Sequence, residues 1–315
     1  MSTDPSPRLV LQQGGVIGAF LGGAVKSLLP RRGGLDHSEI VRATPPPSRE
    51  LLRAYAAWAG ALADRYADTL PPHFVAARAA LPVISALTAR SPYPLLGVLN
   101  QGIHLGVHGP VPATAPITVR GRLVDASDDG YRARIHSALT VGTPDRPVAM
   151  EIDAYAAVVL KRRPAVASAP REDVAFETIG RWQPGADEGR KFFYLTGDFN
   201  PIHTWQAFAR RTRFRGCIMH GFGGFAQAFE AIRNAGLGIA DIDVKFVRPL
   251  PLPGPEVLIQ VAATAEASGR RSLRLTDRSG NVYHAGSFLP WGNAADTRTL
   301  GPTPVQPKTV TPAPL

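Results

Sequence analysis

The sequence predicts an α+β protein made of two similar halves, each an antiparallel sheet wrapped around a central helix. Three observations lead there. Helix-containing sequence is followed by a run of short strand-like segments, and this order occurs twice. A segment without periodicity, Lys161 to Arg171 (KRRPAVASAPR), separates the two occurrences. Finally, 315 residues with a 44% hydrophobic fraction suffice for two ordinary cores.

Residues 1–45 read as a loosely structured lead-in ending at Pro45-Pro46-Pro47, and 46–160 as the first half. Ser48 is placed to cap a helix in which Leu51, Leu52, Tyr55, Trp58, Ala59 and Leu62 recur at helical spacing. Prolines at 71, 72, 82, 92 and 94 predict short, broken helices over Pro71–Asn100. Strands follow at Ile117–Val124, Tyr131–Val141 and Val148–Leu160, with Asp128-Asp129-Gly130 as a turn. Residues 161–172 form the linker and 173–292 the second half. There Val174–Trp182 reads as a strand and Ala186–Tyr194 as a short helix. Gly221–Asn234 reads as an apolar helix carrying Phe222, Phe225, Phe229 and Ile232, ended by Gly236. Four strands follow, at Ile239–Phe246, Val257–Thr264, Ser272–Asp277 and Val282–Leu289. The Thr/Pro-rich residues 293–315 read as a disordered tail.

Composition narrows the function classes. A lone cysteine, Cys217, cannot form an internal disulfide or a cysteine zinc site, which fits a cytoplasmic setting. The longest apolar stretch, Gly14–Val25, is too short to span a membrane, and its basic cluster follows it, unlike a signal peptide's. No stable membrane insertion is expected. The net charge is +10 with pI near 10.2, yet the basic residues are scattered and no nucleic-acid motif accompanies them. A positive surface equally suits an anionic cofactor-like carrier or an acidic protein.

The chemistry is concentrated in Gly197-Asp198-Phe199-Asn200-Pro201-Ile202-His203 and in Cys217-Ile218-Met219-His220-Gly221-Phe222. Asn200-Pro201 forces a tight turn, so that Asp198 and His203 can face one cleft and share one water. A lone Asp in such a setting reads as a turn or cap residue; paired with this histidine it reads as catalytic. Asn200 is a scaffold of the turn. His220-Gly221 opens a helix, where free N–H groups face anionic atoms. His220 itself reads as a packed neighbour or a substrate contact, and Arg213 and Arg215 as phosphate contacts. Asp, Asn and His lack the further acidic or Cys/His partners a metal would need, so no metal is expected.

The Gly-Asp-x-Asn-Pro-Ile-His segment resembles the signature of the MaoC-like (R)-specific enoyl-CoA hydratases and (3R)-hydroxyacyl-thioester dehydratases. The two-half order is similar to the double-hotdog members of that family. Such members usually keep the motif only in the second half, and here the first half has Asn100 and His104 but no Asp-x-Asn-Pro-x-His. The resemblance implies a hydro-lyase interconverting (2E)-enoyl and (3R)-3-hydroxyacyl thioesters in fatty-acid metabolism. Asp198 and His203 are then the acid/base pair, Gly221 the oxyanion donor, and Asn200 the orienting residue. It implies no cofactor beyond the CoA or acyl-carrier-protein thioester. It also implies an acyl tunnel completed by the degenerate first half, and either a pseudo-dimeric monomer or a homodimer. Two departures stand out: Arg213-Phe214-Arg215-Gly216 in place of a Gly-Phe start, and Thr204-Trp205 where an Asp or Asn often follows the histidine. A different class, a non-catalytic hotdog binding acyl thioesters or carrier proteins, is the alternative.

Overall fold

The computed structural model describes residues 4–18, 22, 35–93, 98–161 and 174–291. The tail at 293–315, and the linker at 161–172 beyond its first residue, lie outside the described residues. Ten strands form one continuous sheet: β1 (Ile40–Thr44), β2 (Val98–Val107), β3 (Ile117–Asp128), β4 (Arg132–Gly142), β5 (Met150–Val159), β6 (Phe176–Trp182), β7 (Asp241–Phe246), β8 (Val257–Ala262), β9 (Arg271–Asp277) and β10 (Val282–Leu289). The spatial order is β1-β3-β4-β5-β2-β7-β10-β9-β8-β6. Each half therefore repeats one topology, its own strands running first-third-fourth-fifth-second from the outer edge to the middle. The halves meet where β2 pairs antiparallel with β7, Gly102 opposite Lys245 and Gly106 opposite Asp241.

Strand alternation sets the inner face. On β3, Ile117, Val119 and Leu123 are buried while Arg120, Arg122 and Val124 face out. The helices lie between each half's first and second strand. In the first half, helix α1 (Arg49–Trp58) is capped by the Ser48 hydroxyl, which accepts from the Leu51 N–H at 3.1 Å. Pro72–Phe74, a π turn at Val75–Ala79 and helix α2 (Leu81–Thr88) then form a nearly continuous helical run. The pieces are short, as the prolines lead one to expect, but they follow each other almost without a gap. Pro71 and Pro72 sit at a helix start and Pro82 in the first turn of α2, where a missing N–H costs no hydrogen bond. In the second half come α3 (Glu188–Thr196), α4 (Pro201–Thr204) and the central helix α5 (Gly221–Asn234). Phe222, Phe225, Phe229 and Ile232 of α5 are all buried, so they are core. No helix among the described residues is long and apolar enough to cross a membrane.

Two features depart from the sequence reading. The described residues of 1–45 contribute to the packed fold. A 3-10 turn at Pro7–Gln13 buries Leu9 and Gln13, and the Gln13 amide donates to the Tyr194 and Leu195 carbonyls of α3. β1 closes the edge of the first half's sheet. Strand β2 was also not foreseen. Its glycines lower strand propensity, but Gly102 is required, because a Cβ there would lie 2.5 Å from the Val244 carbonyl oxygen across the seam.

Polar clamps also tie the halves together. Glu230 of α5 receives Arg65 at 2.6 Å, Tyr66 at 2.5 Å and His73 at 2.8 Å, all from the first half. On the outer face of the seam, His104 bridges Asp153 (3.1 Å) and Asp241 (2.5 Å), which raises the His104 pKa to about 10.

Candidate active site

Helix α3 ends because Gly197 adopts φ of +83°, a left-handed conformation that favours glycine, and its N–H donates to the Phe193 carbonyl at 2.8 Å. The chain then reverses into Asp198. Asn200 is the N-cap of α4, its side-chain oxygen accepting from the Ile202 N–H at 3.3 Å, and Pro201 occupies the first helical position. The Asn200 side chain is thus engaged with the backbone of its own turn. The single turn of α4 then places His203 beside the strand-like segment 217–219, whose Ile218 N–H donates to the Ile202 carbonyl.

His203 has a determined tautomer. Its Nδ1 lies 2.8 Å from the Ile218 carbonyl oxygen, which can only accept, so Nδ1 carries the proton and Nε2 is left with a lone pair. His220 repeats the logic. Its Nε2 donates to the Asp198 backbone carbonyl at 2.9 Å, and its buried Nδ1 has no protein partner. The His203 and His220 rings pack against each other with centroids 3.8 Å apart and planes tilted by 30°.

Burial governs the electrostatics. It pushes His203 down to about 3, helped by the neighbouring His220, and His220 likewise to about 3, so both rings are neutral near pH 7. Burial raises the Asp198 carboxyl, while His203 beside it pulls in the opposite direction. Cys217 is buried and its thiol is pushed up by that burial, which suits a packing role.

Asp198, Asn200, His203, His220 and Gly221 all line one cavity of about 340 Å³. Gly221 is the first residue of α5, so its N–H has no carbonyl within the helix to bond. Its Cα face is filled by the Phe246 ring, which a Cβ would meet at 2.2 Å. Close packing on its Cα face and an N–H without a partner inside the helix thus coexist at Gly221. Of the two arginines singled out, Arg213 lines the cavity; Arg215 is exposed outside its wall.

The structure adds residues that the sequence did not suggest. Arg132 of the first half and Arg248 of the second join Arg213 in the cavity wall, and the Arg213 pKa is lowered by burial first and by Arg132 second. Nothing distinguishes them in sequence from the other basic residues. The first half supplies Leu81, Ile84, Ser85 and Thr88 from α2, and Asn100 from β2. His104, named beside Asn100 in the sequence, is absent from the wall and sits at the outer seam. His284 of β10 is a further wall residue. A register shift between Val282 and His284 hides its inward orientation from any alternation pattern.

Comparison with known proteins agrees with this architecture. Residues 167–278 match the MaoC like domain family. No curated protein sequence matches the chain. Among solved structures, HtdX of Mycobacterium tuberculosis superposes with a TM-score of 0.65 at 20% identity, covering 81% of this chain and 100% of HtdX. A MaoC-like dehydratase from Phytophthora capsici gives 0.64 at 14% identity, covering 82% and 97%. A conserved hypothetical protein of M. tuberculosis, described as having a double hotdog fold, gives 0.50 at 13% identity, covering 81% and 96%. The second half thus matches the MaoC like domain, and the whole chain, with the same strand topology repeated in its first half, has the fold of the double-hotdog structures.

Proposed function

We propose that the cavity hydrates (2E)-enoyl thioesters to (3R)-3-hydroxyacyl thioesters and runs the reverse dehydration. The observation that carries this reading is the shared cavity. Asp198, His203 with its unprotonated Nε2, and Gly221 at the start of α5 all line it. The match of residues 167–278 to the MaoC like domain supports it.

A water held between Asp198 and His203 loses one proton to the pair as its oxygen bonds to C3. The C2–C3 double bond gives way to an enolate whose charge rests on the thioester oxygen, stabilised by the Gly221 N–H. The pair then returns one proton to C2 and regains its starting state. Atoms and charge balance without a redox cofactor. A neutral His203 suits this role, because a protonated ring would offer no lone pair to the water. Arg132, Arg213 and Arg248 face the phosphates of a CoA or carrier-protein pantetheine arm.

The test is the loss of enoyl-thioester ultraviolet absorbance with crotonyl- and longer enoyl-CoA, for wild type beside Asp198→Asn and His203→Ala. Loss in the wild type that is abolished in both variants bears the reading out. Thioester binding without turnover, on CoA and carrier-protein substrates alike, would instead establish a binding protein. Turnover that survives both substitutions would move the active site elsewhere.

A further inference from the structure

His284 is 5% exposed, and its Nδ1 is sealed from solvent with no hydrogen-bond partner. The ring is held in place on two sides. It lies 4.7 Å from the Phe246 ring, and it fills the space a side chain would need at Gly224, where a Cβ would meet its Cε1 at 2.5 Å. Such close seating of a polar ring against a glycine is not how an apolar wall is economically built. A leucine or phenylalanine would bury the same area without an unsatisfied nitrogen.

The ring's donor can be assigned. A sealed N–H without an acceptor is rarer in proteins than a sealed lone pair, so the proton belongs on Nε2. That leaves Nε2–H as the nitrogen able to meet a ligand in the cavity His284 lines. The group it meets must be an oxygen that accepts.

The position along α5 says which oxygen. Phe246 covers Gly221, whereas His284 covers Gly224, one helical turn or about 5 Å further along. Phe246 and His284, cross-strand partners, thus cover successive positions of α5, with Phe246 at the end nearer the helix start. The donor is displaced from the reacting carbonyl, in a cavity whose wall mixes apolar residues such as Leu81, Ile84, Val98 and Leu250 with polar ones. Ser85 and Thr88 bring two further hydroxyl-bearing side chains to that wall.

We propose that His284 is a specificity residue. Its ring N–H donates to an oxygen carried on the acyl chain beyond the reacting C2–C3 unit, so the favoured substrate is an oxygen-bearing acyl thioester instead of a plain hydrocarbon one. This rests on the thioester-hydratase reading above.

The experiment compares kcat/KM for (2E)-5-hydroxyhexenoyl-CoA and (2E)-hexenoyl-CoA in wild type, His284→Phe and His284→Gln. The wild type favours the hydroxylated probe by about tenfold. The preference falls to about one in His284→Phe, which keeps a ring but no donor, and is largely kept in His284→Gln. A wild-type ratio near one, or a ratio unchanged in His284→Phe, overturns the proposal. Loss of both activities in equal proportion also leaves the ratio unchanged and marks a purely structural residue. Calorimetric binding of the saturated pair, 5-hydroxyhexanoyl-CoA and hexanoyl-CoA, reads the same ratio without turnover. A His284-dependent binding preference in a protein that hydrates neither enoyl probe would sink the hydratase reading and keep the specificity role. No binding preference at all would sink the latter.

Discussion

His220 donates its Nε2–H to the backbone carbonyl of Asp198 at 2.9 Å, tying the turn that carries the carboxylate to the residue that caps helix α5. The same ring packs against His203, so one side chain fixes the relative positions of both members of the candidate pair and of the α5 amide. His220 acts through these residues, and in this reading it is a positioning residue.

Replacing His220 with Phe keeps a ring against His203 and Phe192 but removes the donor. We expect kcat to fall by about 10- to 100-fold, because sub-ångström drift of a catalytic group costs that much, with KM little changed. Steady-state kinetics with an enoyl thioester checks it. A rise in KM at constant kcat would identify His220 as a substrate contact instead.

Three histidines of this cavity, His203, His220 and His284, are each pushed down to about 3 by burial. Their unfolded value is near 6.5, so between these limits the unfolded chain binds more protons than the native one. Stability therefore falls as pH drops below about 6.5, by up to about 4 kcal/mol per pH unit if all three titrate together. Asp198, whose carboxyl is raised, opposes this at the acid end. Urea unfolding from pH 7 to pH 5 should show the slope, and His284→Phe should lessen it by one proton. A flat profile would mean that the rings charge without unfolding.

Arg132 and Arg213 approach the cavity from different halves, and neither forms an ion pair with a carboxylate among the described residues. Charge reversal at Arg132 (Arg132→Glu) should raise KM for a CoA thioester by about tenfold at low salt, less at high salt, and leave kcat nearly intact. For a pantetheine thioester lacking the nucleotide phosphates, the effect should shrink. An equal effect on both substrates would place the phosphates elsewhere.

Much of the second half was legible because its signals are local. The limits of α5 follow from an apolar periodicity ended by Gly236, and the Asp198–His203 turn from Gly, Asn and Pro at positions their backbone chemistry demands. What stayed hidden depends on distant chain. β2 gains its strand state from pairing with β5 and β7, which overrides its glycines. His284 owes its inward face to a bulge, and Arg132 its place in the wall to a partner half whose sequence carries no catalytic motif. The 3-10 turn at Pro7–Gln13 is fixed by backbone carbonyls of α3, a contact without any sequence pattern.

Glu230 is the strongest test of how the halves are joined. It sits in the central helix of the second half at 0% exposure, and Arg65, Tyr66 and His73 of the first half all bond to it. Burial raises its carboxyl, but the bonds from these partners outweigh that and hold it below the ordinary glutamate value. A depressed acid contributes stability that is present above its unfolded pKa and lost as pH falls through the folded one. At neutral pH, Glu230→Ala leaves three donors unpaired at the interface and should cost about 3–5 kcal/mol. Glu230→Gln keeps the shape and an acceptor but removes the charge, so it should cost less. Adding Tyr66→Phe to Glu230→Ala should cost less than the two single changes taken separately, because one substitution already leaves the other's partner unpaired. Denaturant unfolding of the four proteins measures this coupling. Additive effects would show that Tyr66 and Glu230 stabilise the fold independently.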